Sequence, residues 1–172
     1  EAGKSTLACA LWDRGATLLG DDMAILDVAT GTARPTPRRV SLRKPSQELL
    51  GDAFFERIKT GPSSVATPES YLFHPEEVGS RPRYTEASLH AIMLLARRGS
   101  VTAPARHERI APAHALLALL PYTNLRSRGP LGDAIRALAP LAERVPVFDF
   151  GRGPLDRMVA AVEELADLEA PA

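Results

Sequence analysis

The chain opens on Gly3-Lys4-Ser5-Thr6 and passes directly into the apolar run LACALWDRG. Gly-Lys-[Ser/Thr] at the start of a helix is the second half of the phosphate-binding loop G-x-x-x-x-G-K-[ST], a motif that works only as a strand–loop–helix. The first amides of a helix lack intrahelical partners, and the helix dipole adds partial positive charge to them. A glycine lets that backbone approach a phosphate, a lysine reaches the β- and γ-oxygens, and a serine hydroxyl can ligate Mg²⁺. Gly3, Lys4, Ser5 and Thr6 are therefore the candidate nucleotide-binding residues, with Ser5 a candidate metal ligand. The motif's first glycine would fall three residues before Glu1, and so would the strand ahead of it. The chain, which begins inside its own Walker A motif, is expected to be part of a longer protein.

The rest of the sequence narrows the setting. At 172 residues it is long enough for one domain with a proper core, taken here as 1–172. The formal net charge is zero and aromatic residues are few, so nothing marks a nucleic-acid surface. Of 21 basic residues only three are lysines, and Lys4 is one of them, in a chain that otherwise uses arginine. Cys9 is the sole cysteine, which rules out an intrachain disulfide. No apolar run reaches membrane-span length and no signal peptide is visible, so a reducing, cytoplasmic setting fits.

GKSTLACALWDRG reads as a helix, with Leu7/Leu11 and Ala8/Trp12 at i, i+4 and Gly15 as its stop. ATLLG is short and apolar and is expected to be a strand. MAILDVATGTARPTP reads as a hairpin turning at Ala29-Thr30-Gly31, and RRVSLRK as a further strand. SQELLGDAFFERI is expected to be helical with Ser46 as its N-cap, and residues 60–87, rich in proline and small polar residues, as loop. SLHAIMLLAR is ambiguous by period; a buried strand ending before Gly99 is preferred. APAHALLALLPY, LGDAIRALAPLAERV and GPLDRMVAAVEELADL read as helices and VPVFDF as a strand. The class is α/β, or mixed α+β.

Asp21 and Asp22 follow the ATLLG segment, at the kind of strand end where such folds present ligands. Acids there can hold Mg²⁺ or take a proton from an attacking hydroxyl; the alternative is a plain turn before the hairpin. Arg38, Arg39, Arg43 and Lys44 form a basic cluster nearby, suited to phosphates or an acidic peptide, or else a solvated edge strand. Arg43 and Lys44 lead because they follow the apolar pair Val40 and Leu42. Arg152 is a further candidate for a phosphate or the adenine. His74, His90, His107 and His114 show no metal-ligand spacing, and Cys9 and Trp12 read as core.

GKSTLACALWDRGATLLGDD, with Asp22 18 residues after Lys4, resembles the HPr serine kinase/phosphorylase family. It is more similar still to the HPr-kinase-related proteins found beside peptide-modifying enzymes, including those of lasso-peptide clusters. PRRVSLRKPS and VPVFDFGRGPLDRMVAAVEEL have weaker counterparts there. The resemblance implies a kinase core like phosphoenolpyruvate carboxykinase, using ATP and Mg²⁺. By position, Lys4 matches the phosphate-binding lysine, Ser5 the metal ligand and Asp22 the proton acceptor, with Asp21 beside the metal. The catalytic set is then Asp22, Lys4 and Arg43. The family's Gly-rich signature with its glutamate metal ligand has no counterpart, and the basic TARPTPRRVSLRKPS stands in its place. Phosphorylase activity is therefore not expected. The acceptor would be a hydroxyl, most simply serine, of a peptide or protein; the resemblance allows a homo-oligomer. The alternatives are a generic phosphate-loop NTPase and an inactive nucleotide-binding accessory protein.

Overall fold

The computed structural model describes residues 3–36, 38–79, 86–95, 107–125 and 129–168. The fold is mixed α+β, and the chain divides into two compact units. The first comprises Glu1–Ile25 and Arg34–Glu86, the second Leu26–Ala33 and Ala87–Ala172.

In the first unit, helix α1 spans Lys4–Asp13, as its apolar spacing demands, and Gly15 follows it at φ +124°. An antiparallel three-stranded sheet faces it, in the order β3 (Val40–Arg43), β5 (Ser70–Phe73), β4 (Val65–Ala66). Val40 stands opposite Phe73, and Arg43 opposite Ser70. Side chains alternate across a strand, so Val40, Leu42 and Phe73 turn inward together. They join Cys9 and Trp12 of α1 and Phe54, Phe55 and Ile58 of α3 (Asp52–Lys59) in one core. The Trp12 indole meets Phe54 edge-on and Phe73 at a tilt, each with centroids 6.0 Å apart. That confirms Trp12 as a core residue.

Several local expectations change. Ala16–Gly20 is irregular rather than a strand. Thr36 N–H donates to Leu19 O at 2.9 Å, but Arg38 N–H, the next donor on that edge, turns back to Thr36 O. The bridge is not extended into a ladder. Ser46 does not cap α2 (Gln47–Leu50) with its side chain, which instead meets Thr6. The expected helix over 46–58 breaks at Gly51, whose φ of +81° and ψ of 161° suit glycine alone, and resumes as α3. The stretch expected to be loop carries β4, β5 and the short α4 (Pro75–Val78). Pairing on both sides of β5 outweighs its proline-rich flanks. The part of that expectation on 80–85 lies outside the described residues.

β1 (Ile25–Asp27) and β2 (Thr32–Arg34), whose residues 26–33 belong to the second unit, form the expected hairpin, and β6 (Ala87–Ser88) adds antiparallel to β2. Gly31 takes φ +72° in the turn. Asp27 accepts the Ala29 and Thr30 amides, and Arg144 donates to the Val28 and Ala29 carbonyls. A second sheet sets β7 (Ile92–Leu95) parallel to β9 (Val147–Phe150), with β8 (His107–Arg109) antiparallel on its other side. Ile92–Leu95 is a strand as preferred, though half-buried; the expected end before Gly99 lies outside the described residues. Helices α5 (Pro112–Leu119), α6 (Leu131–Arg144) and α7 (Leu155–Leu168) complete the unit. Among the described residues no helix is long and apolar enough to cross a membrane.

Candidate functional site

The site is built entirely within the first unit. Gly3 stands before α1 in the left-handed region, at φ +79° and ψ 17°, where a side chain would be strained. The first intrahelical bond runs from Leu7 N–H to Gly3 O at 3.0 Å. The amides of Lys4, Ser5 and Thr6 thus fall in the first turn, where a helix supplies no carbonyl for them. The Lys4 side chain is exposed. Thr6 is buried, and its hydroxyl lies 2.8 Å from that of Ser46. What Thr6 can offer a phosphate is its main chain, while its side chain ties α1 to the start of α2.

Ser5 connects the helix to the acids. Its Oγ donates to Asp21 Oδ1 at 2.6 Å, and Asp21 Oδ2 accepts the Ser41 amide of β3 at 3.1 Å. One carboxylate thereby joins the helix start to the sheet. Asp22, the next residue, is exposed. The turn that carries both acids is clamped by Thr36, whose hydroxyl donates to Met23 O at 2.8 Å. Gly20 is required beside it: a Cβ there would lie 2.2 Å from Thr36 Oγ1.

Beneath the helix, burial pushes the Cys9 thiol up to about 12, with the charges of Asp21 and then Asp13 adding to the shift. Cys9 is fully buried, as its apolar neighbours suggested, and inert by that environment.

The basic cluster divides. Arg43 ends β3 with an exposed side chain, two residues from the Ser41 amide that meets Asp21. The Lys44 ammonium instead sits 5.7 Å from the centre of the Tyr71 ring. Arg38 and Arg39 are exposed ahead of β3. Arg152 belongs to the second unit and is half-buried there.

The donor set can be weighed against a metal ion. Among the described residues no three His, Cys, Asp or Glu side chains converge as a metal site. Mg²⁺ needs no such cage: it keeps several waters and takes one or two protein oxygens plus substrate phosphates. A serine hydroxyl and a carboxylate oxygen 2.6 Å apart at a helix start fit that partial set.

Gly20, Thr36 and Ser41 escaped the sequence reading, and Ser46 was read there only as a helix cap. Only Gly20 carried a signal, a glycine immediately before two acids. A main-chain amide such as that of Ser41 leaves no trace in residue type. No family model, curated protein or solved structure matches this chain.

Proposed function

We propose that this chain is an ATP-dependent kinase of the HPr-kinase-like type that transfers the γ-phosphate to a hydroxyl, most simply serine, of a peptide or protein. A phosphate-loop kinase core resembling phosphoenolpyruvate carboxykinase is part of the same proposal, as are a cytoplasmic setting and the absence of phosphorylase activity. The observation that carries it is the 2.6 Å hydrogen bond from Ser5 to Asp21, which brings the phosphate-loop hydroxyl to the acid pair.

Each residue then has a task. The first-turn amides and the Lys4 ammonium bind the phosphates, and Gly3 leaves room for their approach. Ser5 and Asp21 are the residues that would hold Mg²⁺, which when bound neutralises charge on the β- and γ-oxygens. Asp22, exposed beside them, orients the acceptor hydroxyl and takes its proton. The acceptor oxygen–phosphorus bond forms, the bond from phosphorus to the bridging oxygen breaks, and ADP leaves. Arg43 meets the charge that spreads over the transferring group.

A second reading, hydrolysis by a phosphate-loop NTPase, draws on the same Ser5–Asp21 pair, since such enzymes also join a loop hydroxyl to an acid around the metal. Asp22 separates the two: a proton acceptor at the surface serves a bulky acceptor better than a sequestered water. The test is incubation of the full-length protein with γ-labelled ATP, Mg²⁺ and candidate acceptor peptides. Label on serine or threonine supports the kinase; label released only as free phosphate gives the NTPase; ATP bound with no phosphate moved gives the accessory protein.

A further inference from the structure

We infer that Thr36 is the positioning residue for the proton acceptor Asp22, an inference that rests on the kinase reading of the site. The acid turn is held in two different ways. Asp21 is fixed through its side chain, by the Ser5 hydroxyl on one oxygen and the Ser41 amide on the other. Asp22 is exposed, and among the described residues no hydrogen bond holds its carboxylate. Its place is set by the main chain on either side of it.

That main chain is gripped by one residue. Thr36 N–H donates to Leu19 O at 2.9 Å, ahead of the acids. Thr36 Oγ1 donates to Met23 O at 2.8 Å, behind them. The same oxygen fills the space a Cβ on Gly20 would need, 2.2 Å away, and Met23 O lies 3.1 Å from that point. Thr36 and Gly20 interlock, and Thr36 is only 6 % exposed. A threonine is needed for its hydroxyl: an isosteric valine would fill the volume and leave the Met23 carbonyl without its donor. A proton acceptor displaced by about an ångström loses on the order of 10²-fold in rate, because transfer depends on near-attack geometry. Binding of ATP, which rests on Gly3, Lys4 and the helix start, does not depend on Thr36.

The test pairs Thr36→Val with Thr36→Ser in the full-length protein, with thermal melts to confirm folding. Thr36→Val is expected to lower kcat by about 10²-fold while the KM for ATP holds. Thr36→Ser, which keeps the hydroxyl, is expected to retain most of the rate. Gly20→Ala, which presses on the same contact from the other side, is expected to behave like Thr36→Val. A Thr36→Val protein with the parent's kcat overturns the inference, as does an equal loss in Thr36→Ser. A second readout needs no activity: the Ser41 amide, bound to the Asp21 carboxylate, should exchange faster in Thr36→Val while the β5 amides keep their protection. Faster exchange in a protein whose parent transfers no phosphate overturns the kinase reading alone; unchanged exchange overturns the hold of Thr36 on the turn.

Discussion

Ser5 and Asp21, sixteen residues apart, share a 2.6 Å hydrogen bond that ties the first turn of α1 to the turn after it. Because Asp21 also accepts the Ser41 amide, the helix start and the edge of the sheet meet on a single carboxylate.

Removing either end of that link should weaken use of the metal. Ser5→Ala and Asp21→Asn are each expected to raise the Mg²⁺ concentration for half-maximal transfer by about 10- to 100-fold, the range seen when the groups around a metal are perturbed. Titrating activity against Mg²⁺ at fixed ATP checks this. An unchanged midpoint in both variants takes the metal away from this pair.

Arg43 carries an exposed charge at the end of β3, two residues from that meeting point. Arg43→Ala should cost roughly 10³-fold in kcat if the guanidinium meets the transferring group. Arg43→Lys should recover only part of it, since an ammonium keeps the charge and loses the planar fork. Single-turnover rates with saturating ATP decide the matter, and an Arg43→Ala enzyme as fast as the parent removes Arg43 from the chemistry.

How much of this was legible follows from what each feature is made of. Helix α1 was plain because Leu7, Leu11, Ala8 and Trp12 repeat at helical spacing between a loop motif and Gly15. Ser5 and Asp21 stood out as candidates because both residue types carry their chemistry in their side chains, and the structure joins them by a hydrogen bond. Strand β5 was missed because prolines flank it, and its partners β3 and β4 lie elsewhere in the chain. Ser41 acts through its main-chain amide, which almost any residue supplies, and the Thr36 hydroxyl bonds a main-chain carbonyl thirteen residues away, a partner that residue type does not reveal.

The first unit's core makes a stability prediction. Phe73 is fully buried, pairs with Val40 across the sheet and lies against Trp12. Phe73→Ala is expected to destabilise by about 3–5 kcal/mol, from lost burial and the cavity left behind. Leu117→Ala, at a position 60 % exposed, should stay within about 0.5 kcal/mol of the parent. Denaturant unfolding of the three proteins compares them directly; equal midpoints contradict the packing described.

Cys9 gives stability an alkaline limb. Its thiol rises from 9.0 unfolded to about 12 folded, chiefly through burial. The folded state then holds the proton more tightly, so this contribution is complete below pH 9 and is lost as pH climbs from 9 toward 12. The full span amounts to roughly 4 kcal/mol. Between neutral pH and about pH 11, the parent should lose more stability than Cys9→Ala, which lacks the titrating group. Parallel curves for the two proteins would show that the thiol is not buried as described.

In the proposed function, Asp22 takes the proton of the hydroxyl that is being phosphorylated. The most direct measurement is phosphoryl transfer from γ-labelled ATP by Asp22→Asn, beside the parent and Lys4→Ala, with ATP affinity measured on each. That role requires Asp22→Asn to bind ATP like the parent and to transfer phosphate about 10²- to 10⁴-fold more slowly, with Lys4→Ala losing binding as well. Transfer by Asp22→Asn at the parent's rate would contradict it.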